Sequence, residues 1–355
     1  MKDKKSKKTK DSAMLFLFFC CLFIFIGGCE DNQEQLKNEN ETDTNEDATI
    51  EPVPPKEDPE YKFERSYGWL DDETFIYSAV KDEQYFLFSY HLVSQKKHEL
   101  LKTDEIIAEA SVSPNKEQIL VYSSADYLSA NLRVLTSEGE ELYNTSILSS
   151  ELSFSWNPFN DNVALLEIFN EDWTYQTYIL DLDKKNLEEI HVPMPFAQWY
   201  SEDSLLYLDN VSSQQVATLI KYDLQTEEET VLYEDVLEFR SEQNISLIIQ
   251  NAHGDVPSVE YAFYAEKEKN VQSLRIALSE SYLEWGLLPF DLLEKEQILG
   301  TFMEMGGQQY ELTEFNWKTG KKRALLSGVN PAPLSYSPDG KKILYGYTLE
   351  NVIIK

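Results

Sequence analysis

The residues best suited to chemistry in this 355-residue chain sit in four short stretches that break its otherwise regular pattern. They are Asp126-Tyr127, Glu171-Asp172-Trp173, His253-Gly-Asp255, and Glu304 within Met303-Glu-Met-Gly-Gly. An aromatic ring beside carboxylates can stack on a sugar or peptide ring while the acids take its polar groups. Trp173 with Glu171 and Asp172 fits that description best, although the same ring could begin a strand and pack between sheets. Carboxylates such as Asp172, Asp255 and Glu304, brought together, could also serve as acid and base in cleaving a glycan or peptide.

No familiar catalytic spacing surrounds these residues. The chain has no Gly-x-Ser-x-Gly elbow, no His-Glu-x-x-His and no glycine loop ending in Lys that would hold phosphate. His91, His98, His191 and His253 are far apart and lack ligand spacing, so they read as structural or surface residues. Asp181-Leu-Asp183 with Asn186 offers oxygen ligands but lacks the Gly and terminal Glu of a calcium loop, and it falls where a hairpin turn is expected. The expectation is a non-catalytic module that binds a small ligand or an envelope protein, with no cofactor and no metal. The alternatives are a hydrolase or lyase acting on glycan or peptide and an envelope assembly scaffold.

The elements that must position these residues begin after an N-terminal address. Lys2, Lys4, Lys5, Lys7, Lys8 and Lys10 precede an apolar run from Ala13 to Ile26, then Gly27, Gly28 and Cys29. That run suits the apolar region of a signal peptide and is shorter than the roughly 20 residues a helix needs to span a bilayer. Ile26-Gly-Gly-Cys29 resembles the lipobox of bacterial lipoproteins, with Ile26 where that family most often has Leu. The resemblance implies cleavage after residue 28, lipid on Cys29 and attachment to the outer face of the cell membrane. Cys20 and Cys21 would leave with the signal, so the mature chain would keep no thiol for a disulfide or metal cage.

Residues 29–60 change abruptly to Glu, Asp, Asn, Gln and Thr, ending in Pro52, Pro54, Pro55 and Pro59. Such a segment buries too little apolar surface to offset its ordering entropy, and it reads as a disordered tether with a span of about 30 Å or more. Beyond residue 28 the chain holds 25 basic and 61 acidic residues. So negative a domain repels nucleic acid and anionic lipid, which leaves partners that are cationic, neutral or reached through a bound cation.

From residue 61 to 355 the chain repeats. Residues just before a turn recur at Trp69, Val112, Trp156, Trp199, Phe239, Phe290 and Tyr336, spaced by 43, 44, 43, 40, 51 and 46. Each is followed by a second hairpin, such as Ile220-Lys-Tyr-Asp-Leu-Gln-Thr-Glu-Glu-Glu-Thr-Val-Leu. Two hairpins per period make a four-stranded blade, and a period of 40–50 residues is that of a β-propeller. The fold expected is therefore all-β, a single propeller over 61–355 with seven blades by repeat count and six as the alternative. After Tyr336 only three strands fit, so a strand near Tyr61 to Glu64, or just before it, should complete the last blade. The 21 Tyr, 18 Phe and 6 Trp supply rings for packing between blades, and the repeat-position Trp residues read as structural.

Ser337-Pro-Asp-Gly-Lys-Lys-Ile-Leu-Tyr345 resembles the repeat of TolB-type propellers. With the lipobox, the acidic tether and the Tyr67-Gly-Trp-Leu70 opening, the chain is similar to the YqgU-like propeller lipoproteins of Gram-positive bacteria. That resemblance implies a membrane-tethered, extracytoplasmic propeller of six blades. Ligands of propellers usually meet loops between second and third strands and between blades, which is where the four irregular stretches fall. One further stretch, from Ser279 to Leu293, is too apolar for a free loop and is expected to cap the ring.

Overall fold

In the computed structural model several second and third strands are buried along nearly their whole length, because both of their faces are covered. Thr74–Lys81, Gln84–His91, Val163–Phe169 and Gln309–Asn316 are of this kind, whereas the outer strand Lys96–Thr103 is mostly exposed and carries charges. The structure describes residues 43–44, 48–126, 129–149, 151–172, 174–209, 216–254, 256–264, 271–278, 287–306 and 309–355. The proposed signal, Cys29 and most of the tether lie outside them.

The strands form six sheets among the described residues, five built around one four-stranded antiparallel meander and one with seven strands. Blades one, two and three span 62–103, 106–148 and 151–190. The seven-stranded sheet, 198–277, holds blades four and five, which share the long strand Glu229–Ser241. Residues 229–236 of that strand pair with Ala217–Asp223, and 236–241 pair with Ser246–Asn251. Asp235, at φ +58°, turns the chain from one blade into the next without a connector. Blade six spans 290–329, with Asp43–Thr44 added in parallel at its outer edge, and blade seven spans 334–354. By strand pairing there are thus seven four-stranded units, as the repeat count implied.

The last unit is completed from the N-terminal side, and here the expected boundary moves. Thr49–Pro52 runs antiparallel to Asn351–Ile354 as the fourth strand of blade seven. Val53 is fully buried and donates its N–H to the Glu350 carbonyl at 3.0 Å, and a 3-10 turn follows at Pro54–Glu57. Residues 49–60 therefore belong to the ring and not to the tether. Their polar, proline-rich composition hides this because the order comes from the open edge of Asn351–Ile354, which any compatible strand can pair with. Pro52 is tolerated at the end of such an edge strand.

Repeat-position side chains face the preceding blade. Trp69, Trp156 and Trp199 are buried, and each donates its indole N–H to a backbone carbonyl there, of Ser335 at 2.9 Å, Ser111 at 3.2 Å and Ser155 at 3.4 Å. In blade six the position expected at Phe290 falls at Leu292, which pairs with Leu299 as Tyr336 pairs with Ile343. The apolar stretch before it is no separate cap where described. Leu288 is buried, and Phe290–Leu293 is the inner strand of blade six. Residues 279–286 are not among those described.

Apolar layers fill the wedges between neighbouring blades. The layer between blades four and five is thin, with Leu206, Leu219, Val236, Phe239 and Ile248 buried in it among the described residues. A continuous layer by contrast runs through blades five, six and seven, where Phe263 stacks on Trp317 with centroids 5.0 Å apart.

Candidate functional site

Blades four and five share the strand Glu229–Ser241, and between them lies an opening of about 1080 Å³, lined also by Glu294, Gln297 and Trp317 of blade six. Tyr200, Leu206, Leu219, Lys221 and Tyr233 form one wall, and Ser246, Ile248, Phe263 and Tyr264 form the other. The mouth carries the turns between first and second strands, including Glu242, Asn244, Glu294 and Gln297. Tyr233 and Tyr264 meet at 4.6 Å between centroids, and Tyr264 remains 39% exposed. Lys221 places its ammonium 5.4 Å from the Tyr200 ring centroid. Glu294 accepts a hydrogen bond from the Asn244 carboxamide. The site thus has an apolar interior, ring faces on both walls and carboxylates at one end, which is the make-up of a small-molecule pocket.

A second cavity of about 680 Å³ lies against the inner strands, along the central channel. Side chains one residue before the repeat position reach forward to the next blade. Gln198 donates to the Phe239 carbonyl at 3.2 Å and accepts from the Ser241 N–H at 2.9 Å. Asp291 accepts from the N–H of Tyr336 at 2.8 Å and of Leu292 at 3.0 Å. Burial pushes the Asp291 carboxyl up to about 6, against the pull of the Tyr336 N–H and of Arg240. Arg240 donates to Glu242 at 3.0 Å. From the opposite wall comes Lys116, whose ammonium is pulled below its ordinary range by burial and supported by Asp291 and Glu242.

Lys116 belongs to Ser113-Pro-Asn-Lys116, which copies the Ser337-Pro-Asp-Gly340 turn. In both, the Ser hydroxyl receives the N–H five residues on at 3.0 Å, from Gln118 and from Lys342. Lys116 takes φ +67° where Gly340 takes +68°. Glu167, also on the channel side, is buried and pushed up to about 7 by that burial, while the N–H groups of Ala197, at 3.0 Å, and Phe196 oppose the rise. The channel charges are largely matched to one another or to backbone donors, so they serve to join blades across the ring.

The described residues among those singled out from sequence, Asp126, Glu171, Asp172, His253 and Glu304, lie at the opposite end of the ring, where second and third strands of blades two, three, five and six meet. Asp172 is exposed and spends its carboxylate on its own turn, accepting from the Thr174 N–H at 3.1 Å and hydroxyl at 2.6 Å. Glu171 is exposed, Glu304 is half-buried, and His253 is exposed and offers its carbonyl to Arg275 at 2.7 Å. Asp126 ends the strand Gln118–Asp126. Tyr127, Trp173 and Asp255 lie outside the described residues, as does Cys29. Of the described ones, Glu171, Asp172, His253 and Glu304 do not line the cleft or the channel cavity.

The cleft residues were missed because the irregular loops drew attention to the other face. One signal was available. Between Tyr233 and Phe239 no Gly or Pro separates one blade's outer strand from the next blade's inner strand.

A family model for the YqgU-like 6-bladed beta propeller domain matches residues 91–346. The "Uncharacterized lipoprotein YqgU" of Bacillus subtilis (strain 168) is 25% identical over 342 residues, covering 96% of this chain and 94% of that one. Among solved structures, uncharacterized protein lmo1340 from Listeria monocytogenes EGD-e aligns with a TM-score of 0.73 at 22% identity, over 82% of this chain and 90% of that chain. The β-propeller domain of the Trilobed protease from Pyrococcus furiosus aligns with a TM-score of 0.53 at 14% identity, over 79% and 91%. At these identities the structural likeness is one of fold. The family description counts six blades, and this chain forms six sheets, one of which carries two blade units.

Proposed function

The chain belongs to the YqgU-like 6-bladed β-propeller family, and from that premise we propose that it is a lipid-anchored, extracytoplasmic, non-catalytic module that binds a small ligand in the cleft between blades four and five. The cleft itself carries the reading, because it offers ring faces and aliphatic walls at a blade interface thinly filled among the described residues. Its volume of about 1080 Å³ matches the upper range of ligand pockets. The curated lipoprotein relative supports anchoring through Cys29. Thr49 pairs with Ile354, at the end of blade seven that shares its face with the cleft mouth, so the anchored chain would join the ring on that side.

The test fills the cleft. Ser246 lines it and is nearly buried, so Ser246→Trp places an indole in the opening. A library screened by thermal shift should yield compounds that stabilise the wild type and leave the filled variant unmoved. Compounds that stabilise both equally would place binding elsewhere. In cells, Cys29→Ala should release the protein from the membrane fraction, and a variant that stays there would refute the lipid anchor.

A further inference from the structure

We infer that the ligand of this cleft is a small organic cation, an apolar or aromatic body bearing an ammonium group. The inference rests on the binding reading above and adds the chemistry of the occupant.

Three observations converge on it. The interior is aliphatic and aromatic, with Leu206, Leu219, Ile248 and Phe263 along its walls, and it suits a body with few polar groups. Apart from Lys221 on one wall, the charged residues of the lining lie at the mouth. There Glu242 is already matched by Arg240, whereas Glu294 is met, among the described residues, by the neutral carboxamide of Asn244 and by no cation. A carboxylate left without a cation at the end of an apolar cleft favours an ammonium group by charge-assisted hydrogen bonding. The chain's formal net charge of −32 draws cations toward every such opening and repels anions.

The third observation is Lys221. Its ammonium lies 5.4 Å from the centroid of Tyr200 inside the cleft, so the tyrosine face already holds an alkylammonium from the chain itself. A ligand ammonium would use the same ring chemistry, with Lys221 as an intramolecular competitor.

The experiment uses three probes that share one body and differ in charge: tryptamine, tryptophol and indole-3-propionate. Calorimetric titration of the full-length chain in detergent should rank them in that order, with about tenfold separating ammonium from alcohol. Glu294→Gln, which can still accept from Asn244, should weaken tryptamine about tenfold and leave tryptophol unchanged. Lys221→Met should strengthen tryptamine alone. Equal affinity for tryptamine and tryptophol, with no effect of Glu294→Gln, would overturn the cationic class and leave the binding cleft standing. Binding that survives Ser246→Trp, or no heat from any probe, would overturn both.

Discussion

The indole N–H of Trp69 donates to the backbone carbonyl of Ser335 at 2.9 Å, joining the first blade to the last across 266 residues of chain. Trp156 and Trp199 make the same bond to their preceding blades, at 3.2 Å and 3.4 Å. One residue type at one repeat position therefore closes three interfaces, and at blade one it closes the ring itself. Trp69→Phe keeps a ring in the wedge and orphans the Ser335 carbonyl. The expected loss is about 1–2 kcal/mol by urea unfolding, with a smaller loss for Trp199→Phe, whose bond is longer. Equal losses would show that ring volume, and not the hydrogen bond, sets the cost.

The closing strand makes truncation informative. A chain starting at Tyr61 lacks Thr49–Pro52 and Val53, so it exposes the edge of Asn351–Ile354 and uncovers Leu349 and Val352. Such a chain should aggregate or unfold well below the temperature at which a chain starting at Ala48 does. Size-exclusion chromatography and thermal unfolding of the two would decide the point. Identical behaviour would mean that three strands suffice for the last blade.

Lys116 and Gly340 occupy the same left-handed corner of the same turn. Side chains there cost about 1 kcal/mol or more in backbone strain. Comparing Lys116→Ala with Lys116→Gly removes the ammonium in both and leaves only the backbone difference. The Gly variant should be the more stable by about 1 kcal/mol. Gly340→Ala should go the other way, since its new Cβ would lie 2.4 Å from Leu293 Cδ2.

Glu167 makes stability depend on pH. Its carboxyl is raised from 4.5 to about 7 by burial, so between those values the folded chain holds a proton that the unfolded chain has lost. Its contribution therefore falls as pH rises from about 4.5 to about 7 and is level above that, a total on the order of 3 kcal/mol. Glu167→Gln stays neutral throughout, so the variant should gain on the wild type over that range in urea unfolding at successive pH values. Asp291, raised to about 6, adds a dependence of the same sign that the comparison cancels.

Much of the architecture was legible because a propeller writes its turns and apolar strands into every period. Ser337-Pro-Asp-Gly340 announces a hairpin by local backbone chemistry alone, and the spacing of Trp69, Trp156 and Trp199 announces the blade. Phe290 misled by two residues because blade six has no such turn before its 3-10 segment Glu294–Glu296. The tether was drawn too long because Thr49–Pro52 has little apolar content of its own, and its order is borrowed from a partner strand about 300 residues away.

The candidate site was less legible, for a related reason. Turn propensity, strand alternation and the N-terminal address are local properties, and reading residues in order recovers them. Blade number, ring closure and the cleft depend on which distant strands share edges and how far adjacent sheets splay. Tyr200, Tyr233 and Tyr264 are ordinary strand residues one by one. They line one opening in a sheet where Glu229–Ser241 serves two blades at once, and that follows from long-range pairing that no local pattern encodes.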